Sequence, residues 1–595
     1  MEREGNPIAV FSLAYRPFVG GAEIAVHEIV NRMPQERFFC FTRRFDASWP
    51  KRETEGNETI VRLGRPAKEY YGHAFLKLFY VFLAYRAATR MHRKESFKAI
   101  WGIMASYGGM AALLFKLRHP TVPFLLTLQE GDSEGHILRR VGILYPLWRL
   151  IFLRADRIQV ISSYLKDFAL RHGALCPIDI VPNGVDIEKF KATSDPSALL
   201  GAGKRQEKEF TIITTSRLVH KNGIDTLLYA CAEIRKKGIE NWTLKIAGDG
   251  PLRASLESLA QTLRINDKVT FMGHVAEHEI PGLLHRAHLF VRASRSEGLG
   301  SSFLEAMAAG LPVVGTPVGG IPDFLRDREN GLLVSPDDPR SLAEAIYELM
   351  SDHRFYERVA KAGKQLTHER YEWEHVAGEI RAVFDKLQET YRIVIATGIF
   401  PPDIGGSASY AALLLAELPA HDVSPSVVTY GETSSLQIQA VSRRIIKPLR
   451  HMIFFLKVFS AAHRAEAVLA ADASFGAGFF AMLAARAAGA RALVRVTGDY
   501  AWEQGVQRFG VVDGIDAFQK KRYGAMVEAM RFFQRATLFL ADRVIVPSEY
   551  LKNMALGWRV DPRKISVIFN AVEIPGKIEN RDAAKERLNL NGFVI

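Results

Sequence analysis

Two cations at a short spacing suit a phosphorylated ligand. Arg217 ends a run rich in β-branched residues, TIITTSR, and Lys221 follows four residues later, near a predicted helix start. A guanidinium binds phosphate oxygens as a planar fork and an ammonium binds them as a point charge, so the two together suit a diphosphate. Taken alone, the pair is also typical of a solvated surface.

Two carboxylates stand in the segment SEGLGSSFLEAMAAG. Glu297 and Glu305 are eight residues apart. Glu305, in the first turn of a predicted helix, could accept hydrogen bonds from two ribose hydroxyls, and Glu297, on the preceding loop, could face a sugar ring. The alternatives are that Glu305 only complements the helix dipole and that Glu297 is solvated.

Glycines between the carboxylates predict a phosphate-binding turn. Gly298 and Gly300 permit close approach of the backbone to a ligand, and Ser301 or Ser302 is predicted to cap the helix that follows. A glycine turn that leads into a helix N-terminus presents free N–H groups to phosphate. Together with the cations and the carboxylates, this turn favours a ligand site over a solvated surface.

Short β-branched runs alternate with amphipathic helical patterns and would position these residues. Such alternation predicts parallel sheets covered by helices on both faces, with ligands at the carboxyl ends of the strands. In the central region the predicted strands are 211–217, 243–250, 268–273, 288–294 and 312–317, and the predicted helices include 251–265 and 339–352.

The chain repeats itself at an offset of 385 to 387 residues. IAVFSLAYRPFVGGAE (8–23) returns as IVIATGIFPPDIGGSAS (393–409), and ADRIQVISSYLKDFAL (155–170) returns as ADRVIVPSEYLKNMAL (541–556). A period of this length indicates domain duplication rather than a solenoid. The chain is therefore predicted to hold one full unit and about half of a second.

Three domains follow from the repeat, at 1–195, 196–390 and 391–595, with polar linkers at 191–209 and 576–586. The third domain lacks the cation pair and the carboxylate pair of the second. Ile595 stands inside what reads as a strand, which favours a fragment of a longer fusion. The alternative is that the third domain is an accessory acceptor-binding domain.

Composition excludes several classes. The 595 residues are 48% hydrophobic and 24% charged, as in soluble globular proteins, and not as in disordered or fibrous ones. Cys40, Cys176 and Cys231 lack C-x-x-C spacing, so we expect no disulfide framework or structural zinc, and a reducing, cytoplasmic compartment fits. The first residues lack the basic segment and the apolar run of a signal peptide, so we expect none. No uncharged apolar run reaches the ~18 residues of a transmembrane helix.

The net charge of +13 is unevenly distributed. Residues 1–190 carry +8, residues 191–390 carry −2 and residues 391–595 carry +7. Because no nucleic-acid-binding module is evident and the basic residues are dispersed, we expect no nucleic-acid partner. The aromatic-rich segments 71–94 and 443–459 could lie on an anionic membrane surface, although a core helix with a charged end also explains the first.

Three motifs carry a resemblance to a known family. S-R-L-x-x-K-x-G (216–223), I-A-G-D-G-P-L (246–252) and E-G-L-G-S-S-F-L-E-A-M-A-A-G-L-P-V-V (297–314) resemble the donor domain of family 4 nucleotide-sugar glycosyltransferases. E-x7-E with R-x3-K is much more specific than a lone glycine-rich loop. The resemblance covers 1–390, with 391–595 as a further acceptor-type half. It implies the glycosyltransferase B fold, an α/β architecture of tandem Rossmann-like domains, here with a third domain repeating the first.

The resemblance implies a retaining enzyme that moves a sugar from a UDP- or GDP-sugar to a hydroxyl acceptor. Arg217 and Lys221 would bind the donor diphosphate, and Glu297 would face the transferred sugar. The implied donor-binding positions are Gly20, Gly21, Gly248, Gly298, Gly300, Ser301, Leu304 and Glu305, with the last on the ribose. Since no His, Asp and Cys residues cluster as metal ligands, we expect no metal and no cofactor besides the donor.

Gln129 departs from the family pattern, which usually shows a histidine there, and Glu130 follows it. A glutamine can hold a hydroxyl or a phosphate but cannot carry a proton. In the front-face mechanism proposed for such enzymes, the leaving diphosphate itself takes the proton of the acceptor, so Gln129 would be compatible with activity. The alternative is a catalytically inactive binding or scaffold protein.

Remaining expectations concern the acceptor and the flanking elements. The acceptor is predicted to be a lipid-linked glycan or a surface polysaccharide, and the location cytoplasmic, with peripheral contact to the membrane. A phosphorylase or an epimerase on the same fold has no supporting motif. Asn183 is interpreted as a turn residue, 371–387 resembles the closing helix of the family, and Asp499 and Glu503 are the polar candidates of the third domain.

Overall fold

The computed structural model of the protein describes residues 5–17, 20–66, 74–191, 209–389, 391–432, 434, 437–463 and 465–570. Of the predicted linker 191–209, only Lys191 and Glu209 lie within the described residues. The predicted linker 576–586 and the strand expected to run to Ile595 lie outside them. The chain divides into two compact units, one formed by Met1–Tyr391 with Glu417–Ser424 and the other by Arg392–Ala416 with Pro425–Ile595.

The first sheet is built from apolar segments. Its strands are β1 (Ile8–Phe11), β2 (Phe38–Arg43), β3 (Arg52–Glu55), β4 (Glu58–Leu63), β5 (Ala99–Ile103), β6 (Phe124–Leu128), β7 (Arg157–Val160) and β8 (Ile178–Ile180). Their order is β3-β4-β2-β1-β5-β6-β7-β8, and only β3 and β4 pair in antiparallel fashion. Every residue of β1, β5 and β6 is buried, as expected where helices cover both faces of a parallel sheet. Those helices are Gly21–Asn31, Ala74–His92, Gly109–Arg118, Glu134–Val141, Tyr145–Arg154 and Ser163–Arg171.

The second sheet, also parallel, belongs to the same unit. Its strands are β9 (Phe210–Thr215), β10 (Trp242–Ala247), β11 (Val269–Gly273), β12 (Leu289–Val291), β13 (Val313–Gly315) and β14 (Leu332–Leu333), in the order β11-β10-β9-β12-β13-β14. Its helices are Ile224–Lys236, Arg253–Thr262, Ile280–His285, Ser301–Ala308, Pro339–Ser351, His353–Arg370 and Trp373–Glu389. All five strands predicted here are present, but β12 ends three residues before the predicted 294, where the chain turns into the loop that carries Glu297.

The third sheet repeats the first. Its strands are β15 (Tyr391–Thr397), β16 (Val423–Tyr430), β17 (Ile438–Val441), β18 (Ala467–Ala470), β19 (Arg491–Arg495), β20 (Arg543–Val546) and β21 (Ile565–Val567). Their order, β17-β16-β15-β18-β19-β20-β21, matches that of β4-β2-β1-β5-β6-β7-β8. Its helices are Gly406–Glu417, Lys447–Ala462, Phe480–Ala488, Tyr500–Arg508, Ile515–Phe518, Ala525–Leu540 and Glu549–Gly557. The domain duplication predicted from the sequence is therefore visible in the structure as two sheets with the same strand order.

The helix Trp373–Glu389 returns from the second sheet to pack against the first. The backbone N–H of Val185 donates to the carbonyl of Tyr371 at 2.6 Å. A Cβ atom at Gly184 would lie 2.6 Å from the indole of Trp373, so only a glycine fits beneath this ring. Tyr371 and Trp373 are each 5% exposed, and both are packing residues, as predicted.

One helix of the first sheet leaves an apolar face uncovered. In Ala74–His92, Tyr80 and Ala84 are buried, whereas Phe79 and Phe82 are 50% and 53% exposed. The interpretation of this segment as a core helix is therefore correct for only one of its faces. Among the helices of the described ranges, none combines the length and the apolar character needed to cross a bilayer.

Candidate active site

The two predicted diphosphate-binding cations lie in the loop after β9. Arg217 is exposed, and its carbonyl accepts a hydrogen bond from Asn222 Nδ2 at 2.7 Å. Lys221 Nζ donates to the carbonyl of Gly131 at 2.8 Å and lies 3.1 Å from Asp132 Oδ1. Burial alone would raise the pKa of Asp132, but the Lys221 ammonium holds this pKa below its ordinary value. Lys221 is thus held by the loop after β6, a contact that the sequence pattern did not predict.

A buried ion pair fixes Glu297. Arg292, the first residue after β12, places Nη2 at 2.5 Å from Glu297 Oε1, and the two side chains are 12% and 9% exposed. Ser294 Oγ donates to the same oxygen at 3.0 Å. Arg292 also donates to Ser302 Oγ at 2.7 Å and to Asn222 Oδ1 at 3.0 Å. Within the described residues Glu297 Oε2 receives no hydrogen bond, so this oxygen is left for a ligand. Arg292 is not among the residues predicted from the sequence.

The helix Ser301–Ala308 begins after a glycine. Gly300 is its N-cap residue, with a φ of 97°, and no side chain caps the helix. The prediction that Ser301 or Ser302 acts as the cap is therefore wrong, because the chain enters the helix from a left-handed conformation that favours glycine, and both serines already lie in the first turn. The N–H groups of that turn carry no side-chain cap, as a phosphate-binding N-terminus requires. Leu304 is fully buried, so only its backbone can serve a ligand.

Glu305 is a carboxylate without a partner in the described part of the chain. It is half-buried in the helix that begins at Ser301. Burial is the main reason that its pKa rises to about 7, with a smaller rise from the nearby Glu277 carboxylate and opposing effects of Arg292 and Lys189. A half-buried carboxylate without protein donors keeps its capacity to accept hydrogen bonds from a ligand that carries hydroxyl groups.

Glycines let the loops of the site approach one another. A Cβ atom at Gly319, whose φ is 57°, would overlap the carbonyl oxygen of Glu297. A Cβ atom at Gly298 would lie 2.7 Å from the carbonyl oxygen of Glu130, so this glycine permits contact with the loop after β6. Gly248, with a φ of 144°, takes the same role beside Ser216, since a Cβ atom there would overlap the Ser216 carbonyl. Of the predicted glycines, Gly248 and Gly298 therefore have a steric reason to be glycine, whereas a Cβ atom at Gly21 would meet nothing within 4 Å.

The predicted glycine pair of the first sheet stands at a helix start. Gly20 is the N-cap of the helix Gly21–Asn31, which has no side-chain cap. A Cβ atom at Gly20 would overlap the carboxylate of Glu23, which therefore lies over the turn. Burial raises the pKa of Glu23. This acidic residue beside the glycine pair is a further polar group that the sequence pattern did not predict.

Gln129 is oriented by a residue interpreted from the sequence as a simple turn former. Asn183 Nδ2 donates to Gln129 Oε1 at 3.2 Å, and Asn183 is 7% exposed. Asn183 therefore does more than shape a turn. Because the Gln129 oxygen is engaged, its NH2 group is the part that remains to donate to a ligand.

Glu130, the next residue, is buried beside the same loop. Its Oε1 accepts a hydrogen bond from the backbone N–H of Ala105 at 2.6 Å, and its Oε2 is buried without a partner in the described residues. Burial is the main cause that raises the pKa of Glu130 to about 7, and the Ala105 hydrogen bond opposes it. The carboxylate thereby joins the turn after β5 to the strand end that carries Gln129.

Of the two polar candidates of the third sheet, Asp499 has structural partners. Asp499 caps the helix Tyr500–Arg508 by accepting from the N–H of Trp502, and it accepts from Gln519 Nε2 at 2.6 Å. Burial raises the pKa of Glu503. In the described ranges no three His, Cys, Asp or Glu side chains come together as a metal site would need. The expectation of a metal-free reaction stays a prediction.

Family models match most of the chain. The model described as Glycosyltransferase Family 4 matches residues 19–189 and again residues 404–574, and the model described as Glycosyl transferases group 1 matches residues 200–366. The double match coincides with the repeated strand order of the first and third sheets. The family resemblance and the fold class predicted from the sequence are confirmed.

Two relatives illustrate the range of named activities. The chain is 33% identical over 265 residues to the GDP-mannose-dependent alpha-(1-6)-phosphatidylinositol monomannoside mannosyltransferase of Mycobacterium tuberculosis, covering 42% of this chain and 67% of that protein. It is 30% identical over 239 residues to one component of the human phosphatidylinositol N-acetylglucosaminyltransferase, covering 39% and 46% respectively. Both names describe transfer of a sugar.

Solved structures share the fold of about two thirds of the chain. Sucrose-phosphate synthase from Thermosynechococcus elongatus has a TM-score of 0.56 and 23% identity, covering 64% of this chain and 99% of that one. The HepE protein of Anabaena, solved in complex with UDP and glucose, has a TM-score of 0.51 and 18% identity, covering 64% and 100%. At these identities the likeness concerns architecture alone.

Proposed function

The chain belongs to glycosyltransferase family 4, and we propose on this basis that residues 1–390 transfer a sugar, with retention, from a UDP- or GDP-sugar to a hydroxyl acceptor. The observation that carries the proposal is the state of Glu305. This half-buried carboxylate has no donor in the described residues and lies one turn into a helix with an uncapped N-terminus, an arrangement that suits a ribose diol joined to phosphate.

Donor binding would use groups from three loops. The diphosphate would lie against the first-turn N–H groups at Ser301 and be balanced by Arg217. Glu297 would hold a hydroxyl of the transferred sugar through Oε2, while the ion pair with Arg292 keeps the carboxylate in place. Lys221 would exchange its contacts with the loop after β6 for the diphosphate, since one ammonium has three donors to distribute.

The transfer step would proceed on one face of the sugar. The bond between the anomeric carbon and the diphosphate oxygen breaks, and its electron pair stays on the diphosphate. The acceptor hydroxyl oxygen forms the new bond to the anomeric carbon, and its proton moves to the leaving diphosphate oxygen. Arg217 would stabilise the charge that develops on that oxygen. Gln129 takes no proton in this scheme and would donate a hydrogen bond from its NH2 group.

Nucleotide release from a panel of UDP- and GDP-sugars tests the proposal. We expect the wild-type chain to release UDP or GDP from at least one donor, and Glu297→Ala and Arg217→Ala to lose at least about a hundredfold of that rate. The matched controls are Glu329→Ala and Arg326→Ala, an exposed ion pair of the same sheet, with side chains 67% and 69% exposed. No nucleotide release and no nucleotide binding by the wild type would contradict the enzyme proposal, and equal rates in all variants would contradict the roles given to Glu297 and Arg217.

For the acceptor we propose a glycan or lipid-linked hydroxyl compound at the membrane. The two relatives named above support this class, because their names specify phosphatidylinositol-based acceptors. Phe79 and Phe82 are exposed on the helix Ala74–His92, and Ile143, in the turn between the helices Glu134–Val141 and Tyr145–Arg154, is 95% exposed. Burial and, after it, Arg140 lower the pKa of Lys77. The cations of the helices Ala74–His92 and Glu134–Val141 therefore lie close enough to repel each other. Exposed apolar groups beside cations suit an anionic bilayer surface and a peripheral, cytoplasmic location.

Vesicle flotation tests this contact. We expect the chain to float with vesicles containing anionic phosphatidylglycerol and not with neutral phosphatidylcholine vesicles. The double substitution Phe79→Ser with Phe82→Ser should weaken flotation. Met452 and Leu456, each 52% exposed, lie in the helix Lys447–Ala462 of the third sheet, and adding Met452→Ser with Leu456→Ser should weaken flotation further. Tyr229→Ser, at 44% exposure on the second sheet's side, is the control. Flotation that ignores both lipid charge and these substitutions would contradict the proposal.

A further inference from the structure

A cavity of about 240 Å³ opens at the β3–β4 edge of the first sheet, and it shares no residue with the predicted donor site. Arg16 comes from the loop after β1, Trp49 from the loop after β2, and Glu53, Glu55 and Arg62 from the antiparallel pair β3 and β4. Since one water occupies about 30 Å³ of liquid, the space exceeds what a few ordered waters fill and suits a small molecule.

Its walls are fixed by internal contacts. Arg62, whose side chain is only 2% exposed, pairs with Glu53 at 2.8 Å and donates to the carbonyls of Pro50 at 3.2 Å and Arg16 at 2.9 Å. The same guanidinium lies 5.9 Å from the ring centre of Trp49. The cavity is therefore built before any ligand arrives, which lowers the entropic cost of binding.

Charge within the cavity is balanced. Arg62 pairs with Glu53, and Arg16 pairs with Glu55 at 3.1 Å. A phosphate would meet the two carboxylates, and a cation would meet the two guanidinium groups. A neutral ligand with several hydroxyl groups meets neither obstacle, because a hydroxyl both donates to carboxylates and accepts from guanidinium groups.

Acceptor oxygens and one aromatic ring remain to receive such a ligand. Trp49, which lines the cavity, donates no hydrogen bond through its Nε1 in the described residues. Each ion pair uses one carboxylate oxygen, so Glu53 Oε1 and Glu55 Oε1 keep acceptor capacity. The Trp49 ring supplies an apolar surface with a polar handle, a combination suited to the C–H face of a sugar.

We propose that this cavity binds one neutral sugar or cyclic polyol ring, as a second carbohydrate site apart from the predicted donor site. Its role as a subsite for the acceptor glycan rests on the proposed function, but binding itself does not. If the chain binds the sugar but turns over no nucleotide sugar, only the transferase proposal is overturned. If it turns over a nucleotide sugar but the cavity binds no sugar, only the cavity proposal is overturned.

Saturation-transfer NMR on the full chain tests the site. The probes are myo-inositol and the methyl α-glycosides of mannose, glucose and N-acetylglucosamine, each with UDP and GDP present to occupy the donor site. We expect at least one probe to bind, and Trp49→Ala and Glu55→Gln to weaken it about tenfold. Trp49→Phe keeps a ring in place should the alanine variant misfold, and it should weaken binding less. Tyr229→Ala, an exposed aromatic elsewhere, should leave binding unchanged.

Three results would overturn the proposal. The first is the absence of a signal from every probe with the wild-type chain. The second is equal binding by the wild type, Trp49→Ala and Glu55→Gln. The third is displacement of the bound probe by inorganic phosphate at equal concentration, which would make the cavity an anion site.

Discussion

The pH dependence of donor binding follows from the state of Glu305. Burial raises the pKa of this carboxylate to about 7 in the unliganded protein. Hydrogen bonds from ribose hydroxyls favour its ionised form, so donor binding should lower the pKa and release a proton. Donor affinity should therefore increase as the pH rises through neutrality.

The magnitude follows from that pKa. With a pKa of about 7, Glu305 is ionised in about one molecule in eleven at pH 6 and in about ten in eleven at pH 8. If only the ionised form binds the donor, the dissociation constant should fall about tenfold from pH 6 to pH 8. Glu305→Gln should abolish this slope and, at pH 8, weaken binding by about 2 kcal/mol, or about thirtyfold.

Calorimetric titration with UDP-glucose and GDP-mannose measures both effects. Nucleotide sugars are the right ligands, because their diphosphate, bonded at both ends, keeps a fixed charge over this range, whereas the terminal phosphate of UDP titrates near neutrality. Since the pKa of Glu130 is also about 7, Glu130→Gln is the matched control and should retain the slope. Repeating the titration in buffers of different ionisation enthalpy should reveal the released proton.

Two outcomes would contradict a role of Glu305 in the pH dependence of donor binding. One is a dissociation constant that changes less than about twofold between pH 6 and pH 8 in the wild type. The other is a Glu305→Gln variant with the same slope as the wild type, which would assign the titration to a different group.

Three further predictions concern the walls of the candidate active site. Arg292→Met should destabilise the chain by about 3 kcal/mol in calorimetric unfolding, because it leaves Glu297 buried and unpaired, and adding Glu297→Leu should recover part of that loss. Asp132→Asn should strengthen donor binding about two- to fivefold by freeing the lysine that now pairs with it, and an unchanged affinity would mean that this lysine does not serve the donor. Gly319→Ala should abolish nucleotide release and lower stability, because its Cβ atom would overlap the backbone of the Glu297 loop, whereas Gly378→Ala, with open space around its Cβ atom, should do neither.

Much of the fold could be predicted from periodicity and self-similarity. Buried parallel strands require continuous apolar runs, and such runs mark five of the six strands of the second sheet in the sequence, whereas the two-residue strand β14 was not predicted. The repeat is visible because both copies keep the same turns, such as Gly20 and Gly405, and the structure shows that they keep the same strand order. The ends of strands are harder to predict, since the segment 288–294 ends as a strand at Val291.

The prediction of the helix start failed for a conformational reason. Ser301 and Ser302 are ordinary capping residues, and sequence alone favours them at the N-cap. The chain reaches this helix with a φ of 97° at Gly300, so the glycine itself occupies the capping position. Ser302 instead accepts a hydrogen bond from Arg292. The sequence shows a glycine at position 300, but it does not show that the backbone of this glycine takes a positive φ.

The partners of the predicted residues could not be read from spacing at all. Arg292 lies five residues before Glu297, and an arginine at a strand end usually reads as a surface residue. Only the folded loop brings its guanidinium onto the carboxylate. Lys221 and Asp132 are 89 residues apart, and their pairing depends on how the first two sheets pack in one unit. Contacts of this range carry no local signature.

The most direct test of the transferase account is a proton NMR time course of the wild-type chain with each α-linked UDP- and GDP-sugar, observed at the anomeric proton. We expect at least one donor to be consumed and the first sugar product to carry the α configuration, and we expect Glu297→Ala to consume that donor at least about a hundredfold more slowly. A β product formed first would contradict retention. The absence of any consumption across the panel would contradict the proposal that residues 1–390 are a nucleotide-sugar glycosyltransferase.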